Sequence, residues 1–460
     1  MKSQACHFVR YGFLALTLCI GLQAATATSE DWPRFLGPRM DGTSKETGLI
    51  STFTKDGPKV LWEKPVGTGY GAPSVLNGKL VLNHRVKDEE IVECLDAVTG
   101  AAVWKYAYPS HFTDPYGYNN GPRCTPLLTT NYCITFGAEG RLTCLDFTTG
   151  KPVWSRETGK DWQVPEAFFG VGSTPVLEGN TLLVMVGGQT NAAMVGLDVA
   201  TGKTRWESVG SKNWTGQPML GFPGERTVEW RTWDKQASYA SPRIATINGK
   251  RLAFCVTRQG LVTLDPATGE VNFSRWFRSA ANDSVNASTP VVVDDLVFIS
   301  AAYYKVGSVL LRVKPDGKGF EEVWKGLGLE MHWSTPIYLD GYLYGFSGRN
   351  EPDAHFRCIE FKTGKVMWDR DETWAPHSTL QPAVLGRASS VLAEGKFFVL
   401  GEGGNLAIVK PNPQKPEEVA RFQMPQLHYP CWAAPVLSHQ RLYLRSEDRL
   451  VCVEAAAARP

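Results

Sequence analysis

The chain lacks both a long apolar segment and a cluster of like charges. No uninterrupted apolar run reaches the roughly 18 residues that a membrane-spanning helix needs. No run of five acidic or basic residues occurs, and 48 Lys and Arg nearly balance 46 Asp and Glu. Because nucleic acid binding requires clustered cations, this balance argues against nucleic acid as the main partner. A hydrophobic content of 43% is ample for a folded core.

Motifs that mark common catalytic and metal sites are also missing. The sequence contains no Cys-x-x-Cys pair and no helical His-x-x-x-His pair of the kind that binds zinc. It has no glycine-rich loop that opens a helix for phosphate and no Gly-x-Ser-x-Gly nucleophile motif. Clues to function must therefore come from the repeats and loops of the chain.

Residues 1–27 have the pattern of a secretory signal peptide. Lys2 and Arg10 supply positive charge, residues 11–22 are apolar, and residues 25–27 are small. The apolar stretch is too short to span a membrane. We therefore predict an exported protein, periplasmic or extracellular, without a transmembrane segment. We also expect the protein to be a monomer.

The positions of the cysteines bear on lipid anchoring and on disulfide formation. A lipid anchor on Cys19 is disfavoured because Leu18 is large for the position before a lipidated cysteine. Export would permit disulfides among the eight cysteines that follow residue 27. Four of them occupy one repeated position within apolar runs and are predicted to be small buried residues: Cys94, Cys144, Cys358 and Cys452. The sequence leaves the state of the other four open.

A motif that ends in Thr-Gly recurs along the chain. Its first full copy runs from Cys94 to Gly100 and is followed by Trp104. Other complete or weaker copies align on the position of Asp96: Asp146, Asp198, Asp265, Lys314, Glu360, Lys410 and Glu454. Neighbouring copies lie 44 to 67 residues apart, near the repeat length of β-propeller blades.

Each repeat carries signals for four short strands. Ser, Thr or Ala before Pro, as at Thr125-Pro126, marks the start of the first strand. A tight turn such as Asn77-Gly78 precedes the second. The third ends at the motif Asp, whose side chain can accept from the amides of the next turn, where Gly supplies a positive φ. The fourth carries an aromatic residue, so the prediction is an all-β fold of four-stranded antiparallel blades.

The last repeat has no fourth strand of its own. Residues 59–66 match a fourth strand and contain Trp62, so the N-terminal strand is predicted to complete the last blade. This closes a ring of eight blades and protects sheet edges from pairing with other chains. We divide the chain into a signal peptide (1–27), a lead-in strap (28–57), one eight-bladed propeller (58–455) and a tail (456–460).

The fourth-strand aromatics are expected to dock against the neighbouring sheet. They are Trp62, Trp104, Trp154, Trp206, Phe273, Trp324, Trp368 and Phe422.

The repeat resembles that of the pyrroloquinoline-quinone-like (PQQ-like) β-propellers. That superfamily includes the quinoprotein alcohol dehydrogenases and the outer-membrane-protein assembly propeller, which has no cofactor. The resemblance covers about residues 58–455, and residues 32–42 are similar to the lead-in of secreted bacterial members. It implies the fold, whereas it says little about activity because the motif residues build blades.

Function is expected in the inter-blade loops, which connect the fourth strand of one blade to the first strand of the next. Long examples are residues 105–123 and 207–239. Eight tryptophans are predicted to lie in these loops: Trp162, Trp214, Trp230, Trp233, Trp276, Trp333, Trp374 and Trp432. Such aromatics suit a flat ligand, a sugar or the anchor of a protein partner, or they simply pack the loops on the blades.

The residues just before the first strands are predicted to surround the mouth of the central channel. Those with binding chemistry are Tyr70, Arg123, Tyr239, Asn286, His332, Trp333, Arg387 and Trp432. The two arginines can bind a ligand's carboxylates or pair with local acceptors. His332 can act as a base or ligand, or be a hydrogen-bonded loop residue.

For an enzyme, the resemblance implies PQQ above the channel and Ca²⁺ held by carboxylate and amide oxygens. It also implies an Asp base, a Trp floor and often a disulfide between adjacent cysteines. No adjacent cysteines occur here. Asn282 and Asp283 carry oxygens suited to Ca²⁺, although Asn/Asp-rich loops are usually turns. No catalytic residue or metal site is assigned, and PQQ with Ca²⁺ remains an open possibility.

Three hypotheses follow. The first is a non-catalytic binding or scaffold propeller whose Trp-rich loop face engages a protein or a small ligand. The second is a PQQ-dependent oxidoreductase that acts on an alcohol or sugar. The third is a carbohydrate-binding propeller.

Overall fold

The computed structural model describes residues 28–165, 169–214, 237–279, 281, 284–375 and 384–458. Within these ranges the chain forms eight sheets, each with four antiparallel strands, and one sheet carries an added parallel strand. The prediction of an eight-bladed all-β propeller is therefore confirmed. None of the helices in the described part of the chain has the length and apolar character needed to cross a bilayer.

The first four blades follow one another along the chain. Blade 1 contains β3 (Ser74–Leu76), β4 (Lys79–Val86), β5 (Glu89–Asp96) and β6 (Ala102–Pro109). Blade 2 contains β7 (Leu127–Leu128), β8 (Tyr132–Phe136), β9 (Arg141–Asp146) and β10 (Pro152–Glu157). Blade 3 contains β11 (Val176–Glu178), β12 (Thr181–Gly188), β13 (Ala192–Asp198) and β14 (Thr204–Ser208). Blade 4 contains β15 (Arg243–Ile247), β16 (Lys250–Val256), β17 (Gly260–Leu264) and β18 (Val271–Trp276).

The remaining blades include the two N-terminal strands. Blade 5 contains β19 (Val291–Val293), β20 (Leu296–Ala301), β21 (Gly307–Val313) and β22 (Phe320–Gly326). Blade 6 contains β23 (Ile337–Leu339), β24 (Tyr342–Ser347), β25 (His355–Glu360) and β26 (Val366–Asp371). Blade 7 contains β27 (Ser389–Ala393), β28 (Lys396–Leu400), β29 (Asn405–Lys410), β30 (Glu417–Gln423) and the added β1 (Thr43–Ser44). Blade 8 contains β31 (Val436–Ser438), β32 (Arg441–Arg445), β33 (Arg449–Glu454) and β2 (Val60–Pro65).

Helical structure is confined to short connecting segments in the described ranges. These are α1 (Thr158–Asp161) and the 3₁₀ turns Ser211–Asn213, Tyr303–Lys305 and Glu351–Asp353.

The ring closes by pairing the two ends of the chain. Strand β2 lies antiparallel to β33, with Trp62 opposite Cys452 and Lys64 opposite Leu450. The N-terminal segment thus supplies the fourth strand of blade 8, as predicted. Strand β1 adds parallel to β27, with Thr43 opposite Leu392.

The core consists of apolar layers between successive sheets. One cluster joins β8 and β9 of blade 2 to β12 and β13 of blade 3, and similar clusters join other neighbours around the ring. Every cysteine in the described residues is buried and free. Burial raises the pKa of these thiols, to about 12 for Cys144 and Cys452, so they act as small apolar side chains.

The fourth-strand tryptophans contact the Thr-Gly turn of the next blade. The indole of Trp104 donates to the carbonyl of Phe147 at 3.1 Å, and its ring covers Gly150. Trp154 and Val199 make the same contact at 2.9 Å. A glycine is required below the ring because its φ is positive and a Cβ would strike the indole. The motif therefore joins each of these blades to its neighbour.

A pair of glycine substitutions separates backbone strain from this docking contact. Gly78 and Gly150 have φ of +72° and +71°, but a Cβ on Gly78 meets nothing within 4 Å, whereas one on Gly150 lies 2.5 Å from Trp104. We expect Gly150→Ala to reduce the free energy of unfolding by about 1–3 kcal/mol more than Gly78→Ala, because the added methyl overpacks the interface. Urea unfolding of both variants measures the difference. Equal losses would show that the docking contact is dispensable.

The lead-in strap runs across the face opposite the inter-blade loops. Trp32 exchanges two backbone hydrogen bonds with Val75 at the end of a first strand, and Pro33 accepts from Leu128. The buried carboxylate of Glu46 accepts the backbone amides of His439 and Gln440 at 2.7 and 2.6 Å. The strap thereby covers the ends of several first strands.

Candidate functional site

Hydroxyl side chains at the starts of the first strands connect neighbouring blades around the central channel. The amide of Thr125 donates to Oγ1 of Thr174 at 3.2 Å, and the amide of Thr174 donates to Oγ of Ser241 at 3.0 Å. The amide of Thr289 makes the same contact with Oγ1 of Thr335. The Ser/Thr-Pro signal of the sequence thus reflects contacts between first strands as well as their starting points.

The channel contains a cavity of about 200 Å³, here called the central cavity. Its inner wall is formed by small residues at or just before the starts of the first strands, including Thr125, Thr174, Ser241, Thr335 and Ser389. The lead-in strap contributes Phe35 and Leu36 to the lining. Because the strap lies on the opposite face, these two side chains line the end of the cavity away from the inter-blade loops.

Aromatic side chains line the cavity toward the inter-blade loops. We call this set the aromatic collar: Tyr70, Tyr118, Phe169, Tyr239, Tyr303, His332, Trp333 and Trp432. Their rings contact one another in sequence around the mouth. Trp432 lies 5.0 Å from Trp333, 4.8 Å from Tyr70 and 5.7 Å from Tyr118 between ring centroids. Each contact is within the range of favourable aromatic pairs.

Arg387 lies under the collar with its charge already compensated. Its guanidinium pairs with Glu351 and, at 3.0 Å, with Glu402, while Nη1 donates to the carbonyl of Arg349. The guanidinium carbon lies 4.4 Å from the centre of the Trp333 ring. Arg387 therefore supports the collar through local pairing.

Glu402 is the centre of this network and is fully buried. Its carboxylate accepts the indole N–H groups of Trp374 and Trp432 at 2.9 and 3.0 Å, and the backbone amide of Arg387 at 2.9 Å. One buried carboxylate thus orients two tryptophans and one arginine.

Arg123 has a similar arrangement on the other side of the mouth. It contacts Asp114 at 2.5 Å, and the Asp114 side chain is buried. It also donates to the carbonyls of Gly121 and Asn119. Tyr70 lies beside the guanidinium, 5.7 Å from ring centre to carbon.

His332 is half-buried in the cavity wall and uncharged. Its Nε2 lies 3.3 Å from the Tyr303 hydroxyl and its Nδ1 lies 3.5 Å from Nη1 of Arg387. Burial, together with Arg387 and Arg349, holds the pKa of His332 well below its usual value.

The remaining predicted mouth residues differ in their position. Tyr239 lies in the cavity wall, accepts the amide of Phe169, and burial raises its pKa to about 12. Asn286 does not line the cavity: its amide donates to the carbonyls of Thr257 and Phe277 at 2.9 Å. The candidate metal ligands Asn282 and Asp283 lie outside the described residues.

The loop tryptophans have several environments. Trp333 and Trp432 line the cavity, and Trp374 is bonded to Glu402 behind it. Trp162 and Trp214 are buried, and Trp276 is the last residue of β18 rather than part of a loop. Trp230 and Trp233 are outside the described residues.

Several residues of the site were not predicted from the sequence. Glu402 lies in the turn between the second and third strands of blade 7, and Glu351 lies in the corresponding turn of blade 6. In an antiparallel four-stranded blade these turns share a face with the inter-blade loops. The acidic residue among the glycines of residues 401–404 is therefore a sequence signal for a polar group on this face. Tyr118, Phe169 and Tyr303 carried no comparable signal.

The carboxyl group of Glu330, which lies on this face, should make the stability of the protein depend on pH. Burial raises the pKa of Glu330 to about 7 from 4.5. The folded state then binds more protons than the unfolded state between these values, so the free energy of unfolding falls as pH rises through this range and stays lowered above it. We expect Glu330→Gln to be more stable than wild type by about 1–2 kcal/mol near pH 8, after allowance for solvent screening, and about equal near pH 4.

Thermal unfolding at several pH values measures this difference. The exposed Glu321 of β22 provides a matched control as Glu321→Gln. A stability difference for Glu330→Gln that does not change with pH would contradict the prediction.

Comparison with known proteins places this architecture in a family. A family model described as outer membrane protein assembly factor BamB matches residues 46–221 and 224–370. The search of curated proteins gave no match. Among solved structures, BamB from Moraxella catarrhalis is 15% identical with a TM-score of 0.56, covering 86% of this chain and 99% of that one.

Enzymes with the same fold are similar as well. Quinohemoprotein alcohol dehydrogenase from Comamonas testosteroni is 13% identical with a TM-score of 0.61, covering 94% of this chain and 81% of that one. A europium-containing methanol dehydrogenase is 12% identical with a TM-score of 0.59, covering 90% and 89%. At these identities the structures show the fold alone. Since the family model matches more than half of the residues, the chain belongs to the PQQ-like propeller family described as outer membrane protein assembly factor BamB.

Proposed function

We propose that this protein is an exported, non-catalytic binding propeller that holds a group of its ligand or partner in the central cavity. One observation carries the proposal: the charged groups under the aromatic collar are already engaged with one another. Arg123 is paired with Asp114, and Arg387 is paired with Glu351 and Glu402. What remains toward the cavity is an aromatic and hydroxyl-bearing surface, which suits recognition.

Proton-transfer chemistry has little support at this site. A general base needs a pKa near the working pH and access to a substrate proton. His332 is held uncharged, with neighbours at both ring nitrogens, and the phenol pKa of Tyr70 is raised by burial. These features favour a fixed binding surface.

The quinoprotein alternative does not fit the described lining residues. PQQ carries several carboxylates and, in the enzymes of the superfamily, acts with Ca²⁺. Both cavity arginines already have carboxylate partners, and the described residues contain no group of three or more His, Cys, Asp or Glu that could hold a metal. A quinone-dependent reaction is therefore not part of the proposed function.

Export, a monomeric state and a partner on the loop face form part of the same proposal. The signal-like residues 1–27 support export. Tyr116 and Tyr118 are 52% and 54% exposed beside the cavity mouth, where a partner can reach them. Aromatic anchors of this kind dominate many binding surfaces.

The proposal is tested by comparing capture from the cell-envelope fraction of the source organism by wild type, Trp333→Ala and Trp432→Ala. Trp154→Phe at a blade interface is the control for altered tryptophan content. We expect at least one component, protein or glycan, to be retained by wild type and the control and lost by both cavity variants. Equal recovery by all four proteins, or dye-linked alcohol oxidation after addition of PQQ and Ca²⁺, would count against the proposal.

A further inference from the structure

We infer that the central cavity binds a neutral sugar ring, a pyranose presented alone or at the end of a glycan. This inference rests on the proposed binding function and names the ligand class of the same site. Three independent features support it: hydroxyl groups with unused hydrogens, aromatic faces at the mouth, and the absence of an uncompensated charge among the described lining residues.

The hydroxyl groups of the inner wall are held in place by the backbone. Oγ1 of Thr174 and Oγ of Ser241 each accept an amide of the preceding blade, which fixes the oxygen. The Thr174 hydroxyl also contacts the Cys124 thiol, whereas the hydroxyl hydrogen of Ser241 has no acceptor among the described residues. The Thr125 hydroxyl also lines the cavity without a protein partner in the described part of the chain. Donors and acceptors of this kind match sugar hydroxyl groups, which both give and receive hydrogen bonds.

The collar supplies the complementary apolar contact. A pyranose has a face of C–H groups that packs on an aromatic ring, and Trp333 and Trp432 meet at the mouth with an angle of 42° between their planes. Glu402 fixes the second indole through its N–H. The rings are therefore oriented before any ligand arrives, which lowers the entropic cost of binding.

Charge and size favour a neutral ligand of one ring. Arg123 and Arg387 are paired, and His332 is uncharged. An anionic ligand would lose its hydration without gaining a free cation, which is costly in a buried site. The cavity volume of about 200 Å³ is below the roughly 300–1,000 Å³ of sites for drug-sized ligands, so it is suited to a small unit.

The test uses the mature protein and a panel of neutral methyl pyranosides, with glucuronate as the charged analogue. Binding is followed by tryptophan fluorescence and by calorimetric titration. We expect at least one neutral pyranoside to bind in the millimolar range, and glucuronate to bind about ten-fold more weakly or not at all. Trp432→Ala should reduce affinity at least about ten-fold through loss of stacking.

The hydroxyl contribution is tested with Thr125→Val, which preserves the shape of the side chain. We expect this variant to fold normally and to lose about three- to ten-fold in affinity, equivalent to one hydrogen bond. Thr143→Val, which removes a buried hydroxyl outside the cavity, is the matched control and should bind as wild type.

The outcomes separate this inference from the proposed function. If no neutral pyranoside binds while capture of an envelope component still depends on Trp333 and Trp432, the sugar assignment is wrong and the binding function stands. Tighter binding of glucuronate than of every neutral sugar also overturns the assignment. Sugar binding that is unchanged in Trp432→Ala and Thr125→Val would place the ligand elsewhere and overturn it too.

Discussion

Replacing Glu402 with Ala is expected to reduce the free energy of unfolding by about 3–5 kcal/mol, the usual cost of removing one partner from a buried ion pair. The carboxylate is fully buried and accepts from two indoles, a backbone amide and Arg387. Without it Glu351 is the one carboxylate partner that Arg387 keeps among the described residues, and the N–H groups of Trp374 and Trp432 lose their acceptor. Denaturant unfolding measures the loss.

The same substitution should also disturb the aromatic collar. Trp432 no longer has a fixed orientation when its N–H is unpaired. The fluorescence of Trp432 and the affinity for a ligand in the cavity should therefore change, in addition to the free energy of unfolding. The matched control is Glu454→Ala, because Glu454 pairs with Lys59 at 3.4 Å on the surface. Exposed pairs contribute about 0–1 kcal/mol, so this control should be nearly neutral. A loss of less than about 1 kcal/mol in Glu402→Ala would show that the network is not needed for stability.

Removing the closing strand is the second change with a large expected effect. A chain that starts at residue 67 lacks β2, so β33 keeps β32 but loses its second neighbour, and Trp62 no longer covers Gly100. Loss of the Trp62 contact alone should cost about 3 kcal/mol or more, and the unpaired edge should promote aggregation. Thermal unfolding and light scattering follow both effects.

Two comparisons separate the effect of ring closure on stability from the effect of losing the lead-in strap. A chain that starts at residue 58 lacks the strap and keeps β2, so it should be the more stable of the two truncated proteins. A synthetic peptide of residues 58–66 added to the shorter protein should restore part of its stability by pairing with β33. Equal unfolding temperatures for the two truncated proteins would contradict closure by β2.

Local patterns were sufficient to predict the blades. Alternating apolar residues, tight turns such as Asn77-Gly78, and the Asp96–Gly100 motif act over a few neighbouring residues, so their meaning does not depend on the rest of the chain. Closure was also predictable, since Trp62 occupies the position that the last repeat lacks. The added pairing of β1 with β27 was not foreseen, because a two-residue parallel strand has no sequence signal.

The candidate site was predictable only in part. Position before a first strand located Tyr70, Trp333 and Trp432 at the cavity, but the same rule also selected Asn286, whose side chain bonds to the backbone instead. The rule gave the position of Arg387 but not its ion pairs, because its partners Glu351 and Glu402 come from other turns.

The sequence by itself determined the repeating unit, the number of blades and the segment that closes the ring, because short-range periodicity and turn chemistry specify each strand. Only the tertiary structure decided which charges are neutralised and which surfaces remain for a ligand. Glu351, Arg387, Glu402 and Trp432 lie in separate loops of blades 6, 7 and 8 and meet when these neighbouring blades pack together. Electrostatic pairing and burial depend on distances between such loops, and a linear pattern does not contain those distances.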